Sequence, residues 1–189
     1  MCYNKNMRII TGSLRGRKIP SPDHEGVRPT SDRIKESLFN IIRDKVEGGV
    51  FLDLFSGTGN IGFEAVSRGA KEVYMVDSNR QCFNAIKSTA ASFKVNPIII
   101  LSDSTMALRN FGHKGLKFDC IFIDPPYNST LAEHAIADIE SLDLLADDGI
   151  IIWENSLPLN KLNNFKSSFE MYDLRKYGEI GLAFFRKAK

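Results

Sequence analysis

The sequence predicts an α/β fold, a mostly parallel sheet with helices on both faces. Three observations predict it. From Val50 onward, short apolar runs alternate with amphipathic helical patterns, and repeated βα units of this kind build a parallel sheet. The first of those runs leads directly into a glycine-rich loop, Gly57-Thr58-Gly59-Asn60-Ile61-Gly62. The last two runs, 171–177 and 182–186, are separated only by a tight turn at Gly178, so the final pair is antiparallel.

Taken in order, Met7-Arg8-Ile9-Ile10 and Arg17-Lys18-Ile19-Pro20 flank the segment 12–16 and predict a small β-hairpin. Residues 20–30 carry Pro, Asp, Gly and His and form a loop. Thr30 or Ser31 caps a helix running to about Lys45, with Ile34, Leu38, Ile41 and Ile42 as its apolar stripe and Gly48-Gly49 as its stop. The run 50–55 is apolar except for Asp53, as expected of a buried parallel strand. A helix over 60–68 ends at Gly69. Strand 72–76, helix 79–93, strand 97–101 and a short helix from about Thr105 follow. Strand 118–123, helix 131–145, strand 149–153 and a weaker helix over 159–169 complete the alternation.

With 189 residues, 43% hydrophobic and 25% charged, the chain suits one well-buried domain with a small appendage. The expected division is a basic extension over 1–27 and a main domain over 28–189. No apolar run approaches the ~20 residues that span a bilayer. Residues 1–8 lack the apolar segment of a secretory signal, so a reducing cytoplasm is expected. Cys2, Cys82 and Cys120 form no CxxC pair and have no nearby histidine, so free thiols and no metal site are expected. The net charge of +2 hides a gradient: +5 over 1–35, −7 over 36–160 and +4 over 161–189. Basic ends around an acidic body suit a polyanionic partner.

The glycine loop matches G-x-G-x-x-G, and Asp77 ends the next strand, where a carboxylate can accept ribose hydroxyl protons. The same pattern fits a dinucleotide, so an NAD(P)-dependent oxidoreductase is a competing reading. Asp53 separates the two. It lies inside the first strand, where a buried unpaired acid costs roughly several kcal/mol. That cost is offset if it faces a cationic ligand or orders the loop amides. S-adenosylmethionine carries an ammonium and a sulfonium, whereas the NAD pyrophosphate is anionic and would be repelled. Asp103 follows the third strand of the series; it suits an adenine amino group and equally a helix N-cap.

Asp124-Pro125-Pro126-Tyr127 follows strand 118–123. An exocyclic amine on a purine is a weak nucleophile because its lone pair is delocalised into the ring. Two acceptors on its N–H groups draw it toward tetrahedral geometry. The Asp124 carboxylate and the Pro125 carbonyl can supply them, and the two prolines fix the backbone in advance. Tyr127 offers a face to stack on an extruded base, worth ~1–3 kcal/mol. A Pro-rich turn with an aromatic plug is the structural alternative. The position beside the glycine loop, at the carboxyl ends of the strands, favours the catalytic reading.

With Met7-Arg8-Ile9-Ile10-Thr11-Gly12, the segment Arg28-Pro29-Thr30-Ser31-Asp32-Arg33-Ile34-Lys35-Glu36-Ser37-Leu38-Phe39-Asn40, Ser67-Arg68-Gly69-Ala70 and Tyr177-Gly178-Glu179-Ile180-Gly181-Leu182, the chain resembles the RsmD family across nearly all of 7–186. These are bacterial methyltransferases acting on the 2-amino group of a guanine in small-subunit (16S) rRNA. The resemblance implies a three-layer αβα class I methyltransferase fold, Rossmann-like, with a seven-stranded sheet whose last strand is antiparallel, preceded by a small β element. It implies S-adenosyl-L-methionine as cofactor. The implied contacts are Thr30, Asp53, Phe55, Ser56, Gly57, Thr58, Gly59, Asp77, Ser78, Asp103 and Ser104, with Asp124, Pro125, Pro126 and Tyr127 at the base. Asn60 departs from the small apolar residue common in that loop. Residues 1–6 precede the match and read as a disordered or alternative-start extension.

Arg8, Arg15, Arg17, Lys18, Arg28, Arg33 and Lys35 are the candidates for RNA contact, expected on 16S rRNA within a small-subunit assembly particle, by a monomer. Rival readings are a DNA adenine-N6 methyltransferase, which shares Asp-Pro-Pro-Tyr but usually carries a target-recognition domain, and a non-catalytic RNA-binding assembly factor.

Overall fold

The computed structural model describes residues 7–20, 32–126, 129–156, 162, 165 and 167–188. Two short strands, β1 (Met7–Arg8) and β2 (Lys18–Ile19), pair antiparallel as the sequence predicts. Helices α1 (Asp32–Ile41) and α2 (Arg43–Val46) lead into the main sheet. Its first half alternates β3 (Val50–Asp53), α3 (Asn60–Ser67), β4 (Glu72–Asp77), α4 (Arg80–Phe93), β5 (Ile98–Leu101) and α5 (Ser104–His113). Then come β6 (Phe118–Ile123), α6 (Leu131–Ser141), β7 (Leu145–Asn155), β8 (Phe169–Tyr177) and β9 (Ile180–Lys187).

The seven strands lie in the order β5-β4-β3-β6-β7-β9-β8. The first five are mutually parallel, and β9 runs antiparallel between β7 and β8. The order reverses beside β3, leaving the carboxyl ends of β3, β4 and β6 along one edge of the sheet, where open α/β sheets bind ligands. Strand alternation divides the core in two. Phe51, Met75, Phe122 and Ile152 pack with Leu38, Phe63 and Phe93 on one face. Leu52, Val76, Ile121 and Trp153 pack with Phe111 and Ile136 on the other. The result is three layers, αβα.

The structure moves several expected boundaries. The helix expected to reach Lys45 breaks at Ile42, so that Ile42 and Val46 both turn inward, each 1% exposed. Helix α6 stops at Ser141 rather than 145, because Asp143 takes a left-handed φ of 48° and Leu144 and Leu145 swing into the core. Strand β7 therefore begins early. Phe118 pairs with Leu145 but Cys120 with Ile150, so the intervening residues of β7 bulge out of register. Of the helix expected over 159–169, Leu162 is helical and buried, whereas Phe169 opens β8; most of that segment lies outside the described residues.

A buried ionic cluster fastens the N-terminal element to the sheet. Glu64, in the middle of α3, has no exposed surface. Its carboxylate accepts from the Ile10 amide at 2.9 Å, the Thr11 amide at 3.1 Å and Arg68 Nε at 2.9 Å. Lys35 Nζ of α1 stands 3.3 Å away and donates to the Arg8 carbonyl at 2.6 Å and to Asn60 Oδ1 at 2.7 Å. One turn on, Ser67 Oγ donates to the Thr11 carbonyl at 2.5 Å and accepts from the Leu14 amide at 2.9 Å. Gly12 permits this approach: its φ is +88°, and a Cβ there would lie 1.8 Å from the Ser67 carbonyl oxygen. Met7, Ile9, Leu14 and Ile19 then join the same apolar core as α1, α3 and α4.

Glu64→Ala would strand Lys35 and two backbone N–H groups in the interior. It is expected to lower unfolding free energy by about 3–5 kcal/mol, read from the urea midpoint, with Ser67→Ala costing about 1 kcal/mol.

Candidate active site

The carboxyl ends of β3, β4, β5 and β6 enclose a cleft of about 390 Å³. Its floor and one wall come from the turn after β3. Phe55 and Gly57 line it. Gly57 has a φ of +53°, and a Cβ built there would meet nothing within 4 Å, so this loop leaves room where a ligand must approach the backbone. Gly59 turns inward, where a Cβ would sit 2.8 Å from the Phe63 ring. At Gly62 a Cβ would meet Met75 at 2.5 Å, which lets α3 lie close on β4.

Asp77 holds the loop. One carboxylate oxygen accepts from the Gly57 amide at 2.7 Å, the other from the Asn79 amide at 2.7 Å. Asn79 in turn caps α4, accepting from the Gln81 amide at 2.7 Å. Desolvation raises the Asp77 carboxyl above its ordinary pKa, partly opposed by the two amides. Asp103 accepts from the Met106 amide at 2.9 Å, so it caps α5 and also lines the cleft with Ser102 and Ser104. Both roles read from the sequence for this residue are compatible with its position.

On the far side stand Asp124, Pro125 and Pro126, one residue past β6. The Ser129 hydroxyl donates to the Pro126 carbonyl at 2.7 Å. That bond occupies one carbonyl of the turn and holds its shape, leaving Pro125 with the carbonyl that sequence reasoning assigned to the substrate. Burial raises Asp124 well above the usual carboxylate range, with Glu154 and then Asp53 adding to it.

The cleft thus gathers Phe55, Gly57, Asp77, Ser78, Asp103 and Ser104 from the predicted cofactor set, and Asp124, Pro125 and Pro126 from the base set. Four others do not line it. Asp53 is 2% exposed, and its carboxylate accepts from the Gly62 amide at 2.9 Å. It anchors the first turn of α3 rather than facing the open cleft. Ser56 donates to the Asp53 carbonyl at 2.8 Å, and Thr58 donates to Met7 Sδ at 3.4 Å. Gly59 is the fourth. Sequence reasoning missed Leu54, Ser102, Cys82 and Leu131, which also line the cleft. Leu54 and Ser102 adjoin named positions. Cys82, in the first turn of α4, and Leu131, opening α6, carried no local signal. Thr30, Arg28 and Tyr127 lie outside the described residues.

Of the RNA candidates, Arg15, Arg17, Lys18 and Arg33 are exposed. Arg17 lays its guanidinium 5.3 Å over the Phe93 ring, and Arg8 pairs with Asp32 at 2.9 Å while its side chain stays 63% exposed. Lys35 is a correction. Its side chain is fully buried against Glu64 and Asn60, and desolvation lowers its pKa, so it cannot reach a phosphate. Asn60, the departure from the usual loop, is there to receive it.

Every titratable group on the cleft wall is an acid or a thiol: Asp77, Asp103, Asp124 and Cys82; among the described residues no lysine, arginine or histidine lines it. That lining suits a positively charged ligand and opposes a pyrophosphate. The backbone opening at Gly57 lies beside Asp77. The residues present therefore fit S-adenosylmethionine and disfavour NAD.

The chain is similar to known proteins over nearly its whole length. The family model described as conserved hypothetical protein 95 matches residues 7–186. The ribosomal RNA small subunit methyltransferase D of Escherichia coli strain K12 is 30% identical over 181 residues, covering 96% of this chain and 90% of its own length. Its namesake in Haemophilus influenzae is 38% identical over 133 residues, 69% of each chain. Among solved structures, yhhF of Escherichia coli superposes with a TM-score of 0.84 at 30% identity, covering 97% of this chain and 99% of that one.

Asp53 has its carboxyl raised from 3.8 to about 7, mainly by burial. The folded state therefore binds a proton that the unfolded chain has released, and stability falls as pH rises across that window. Asp53→Asn keeps an acceptor for Gly62 and removes the charge. Urea unfolding between about pH 4 and about pH 7 is expected to show a flatter stability curve for the variant than for the wild type.

Proposed function

The chain belongs to the family of conserved hypothetical protein 95, the RsmD family, over residues 7–186, and on that premise we propose that it methylates small-subunit ribosomal RNA at the 2-amino nitrogen of a guanine. The observation that carries this is the placement of Asp124-Pro125-Pro126 on the wall of an acid-lined cleft, at the same sheet edge as the glycine loop. S-adenosyl-L-methionine supplies an activated methyl group on a sulfonium when bound. The rest is the work of this chain's own groups.

Gly57 opens the backbone, and Asp77 presents its carboxylate to a ribose while ordering the loop. Asp103 and the neighbouring Ser102 and Ser104 offer polar groups to the adenine end. The Asp124 carboxylate and the Pro125 carbonyl accept the N–H groups of the target amine, which turns its lone pair out of the ring. Catalysis here is chiefly positioning: a fixed turn removes the ordering cost before the base arrives. Tyr127 supplies the stacking face for an extruded guanine. Exposed Arg15, Arg17, Lys18 and Arg33, with Arg8 and Arg28, meet the phosphates, which makes binding weaken with salt. The basic extension over 1–27 supplies Arg8, Arg15, Arg17 and Lys18 to recognition, and the methyltransferase domain over 28–189 adds Arg28 and Arg33 and carries the chemistry. The protein acts as a monomer in the cytoplasm, on RNA in an assembling small-subunit particle.

The test is transfer of tritium from labelled donor to small-subunit RNA, assembling subunits and duplex DNA, with nucleoside mass spectrometry of the product. N2-methylguanosine in the RNA supports the reading; label entering only DNA overturns it in favour of adenine methylation. Asp124→Ala and Tyr127→Ala are expected to lower turnover by roughly 100-fold or more with S-adenosylhomocysteine affinity nearly unchanged. Asp77→Ala is expected to weaken that affinity by roughly 10-fold or more, measured by calorimetry.

A further inference from the structure

Three carboxylates stand at or beside the carboxyl ends of three neighbouring strands, on one face of the sheet. Phe51, Phe122 and Ile152 of β3, β6 and β7 pack into one core, and Leu52, Ile123 and Trp153 into the other. Strand alternation carries the first set outward to Asp53, Asp124 and Glu154. Register sets them side by side. Asp53 pairs with Phe122, two residues before Asp124, and Ile123 pairs with Trp153, so Asp124 and Glu154 come next to one another. Asp53 and Glu154 are 2% and 4% exposed; Asp124 is half-buried and reaches the cleft.

Glu154 is a buried acid on the strand next to the one that leads into Asp124. The site already described uses Asp124 alone of the three. We infer that Glu154 is a positioning residue for the methyl transfer, its carboxylate standing beside Asp124 so that Asp124 takes up the proton the target amine gives up. This deepens the functional reading above and rests on it. In the step, a nitrogen–carbon bond forms as the carbon–sulfur bond of the sulfonium donor breaks. The N–H bond then breaks, its electron pair stays on nitrogen, and the proton passes to the Asp124 carboxylate and on to water through the cleft.

The electrostatics run the same way. Burial, then Glu154, then Asp53 hold Asp124 well above the ordinary carboxylate range, as closely placed acids do in a low-dielectric site. The groups around Asp124 among the described residues are Glu154 from β7 and Asp53 from β3, with Asp77, Cys82 and Asp103 across the cleft. Asp77 acts on Asp53 in the same sense.

The experiment is the pH dependence of single-turnover methyl transfer to small-subunit RNA by the full chain. Loss of activity toward low pH marks protonation of Asp124. Glu154→Gln removes a neighbouring negative charge, so its acid limb is expected to move to lower pH by roughly one unit. Glu154→Asp keeps the limb near its wild-type place, and Asp53→Asn moves it down by less. Melting temperature and S-adenosylhomocysteine affinity close to wild type show that the variants are intact. A slower Glu154→Gln enzyme with an unmoved limb overturns the inference, since a purely structural role would give that result. If Glu154→Gln does not fold, Glu154→Met, uncharged and of similar volume, decides: a lowered limb supports the inference and an unmoved one overturns it. A wild-type protein that transfers no label to RNA overturns the functional reading and the inference together, whereas an active wild type with unmoved variants overturns only the inference.

Discussion

One buried carboxylate organises this molecule. Glu64 lies inside the helix whose first turn forms the end of the glycine loop, and it is shared by two backbone amides of the N-terminal segment, by Lys35 of α1 and by Arg68. A lone ion in that position would be costly. Ringed by donors, it joins three pieces of chain distant in sequence. Through Lys35 it reaches Asn60, at the start of α3, so the loop that opens the cleft is held at its far end by the same cluster. The N-terminal element is thereby part of the scaffold that sets the glycine-loop side of the cleft. An ionic cluster of this kind need not add net stability over apolar packing; its contribution is a single geometry.

The cleft itself is an electrostatic statement. Asp77, Asp103 and Asp124 line it, and Asp53 and Glu154 lie behind, with no basic side chain among the described lining residues. Backbone amides offset part of this concentration of acids: Asp77 and Asp103 each accept from the backbone, and Asp53 accepts from Gly62. The same arrangement leaves a field that attracts a cationic ligand and raises the proton affinity of Asp124. Cofactor preference and acid–base poise therefore come from one distribution of charge.

The basic residues divide along a similar line. Arg15, Arg17, Lys18 and Arg33 remain on the surface, while Lys35 and Arg68 have been drawn inside to serve Glu64. Charge counting over the first 35 residues treats Lys35 like its exposed neighbours. Burial separates those that hold the fold from those available to a polyanion.

The alternation of apolar runs and helical patterns determined the αβα class, the seven strands with one antiparallel, and the paired strands at the N-terminus, because these follow from local periodicity. The two loops at the sheet edge were equally plain, since glycine and proline impose backbone geometry wherever they occur. Tertiary structure alone decided which members of those loops face the cleft. Asp53, Ser56 and Thr58 sit in the motif and turn inward, while Cys82 and Leu131 sit outside it and line the wall. It alone made Lys35 a structural cation and set Glu154 beside Asp124, across the β6–β7 pairing. Side-chain direction within a strand is a local property, but which strand becomes its neighbour, and what that neighbour's charge does to it, is fixed only when distant segments pack.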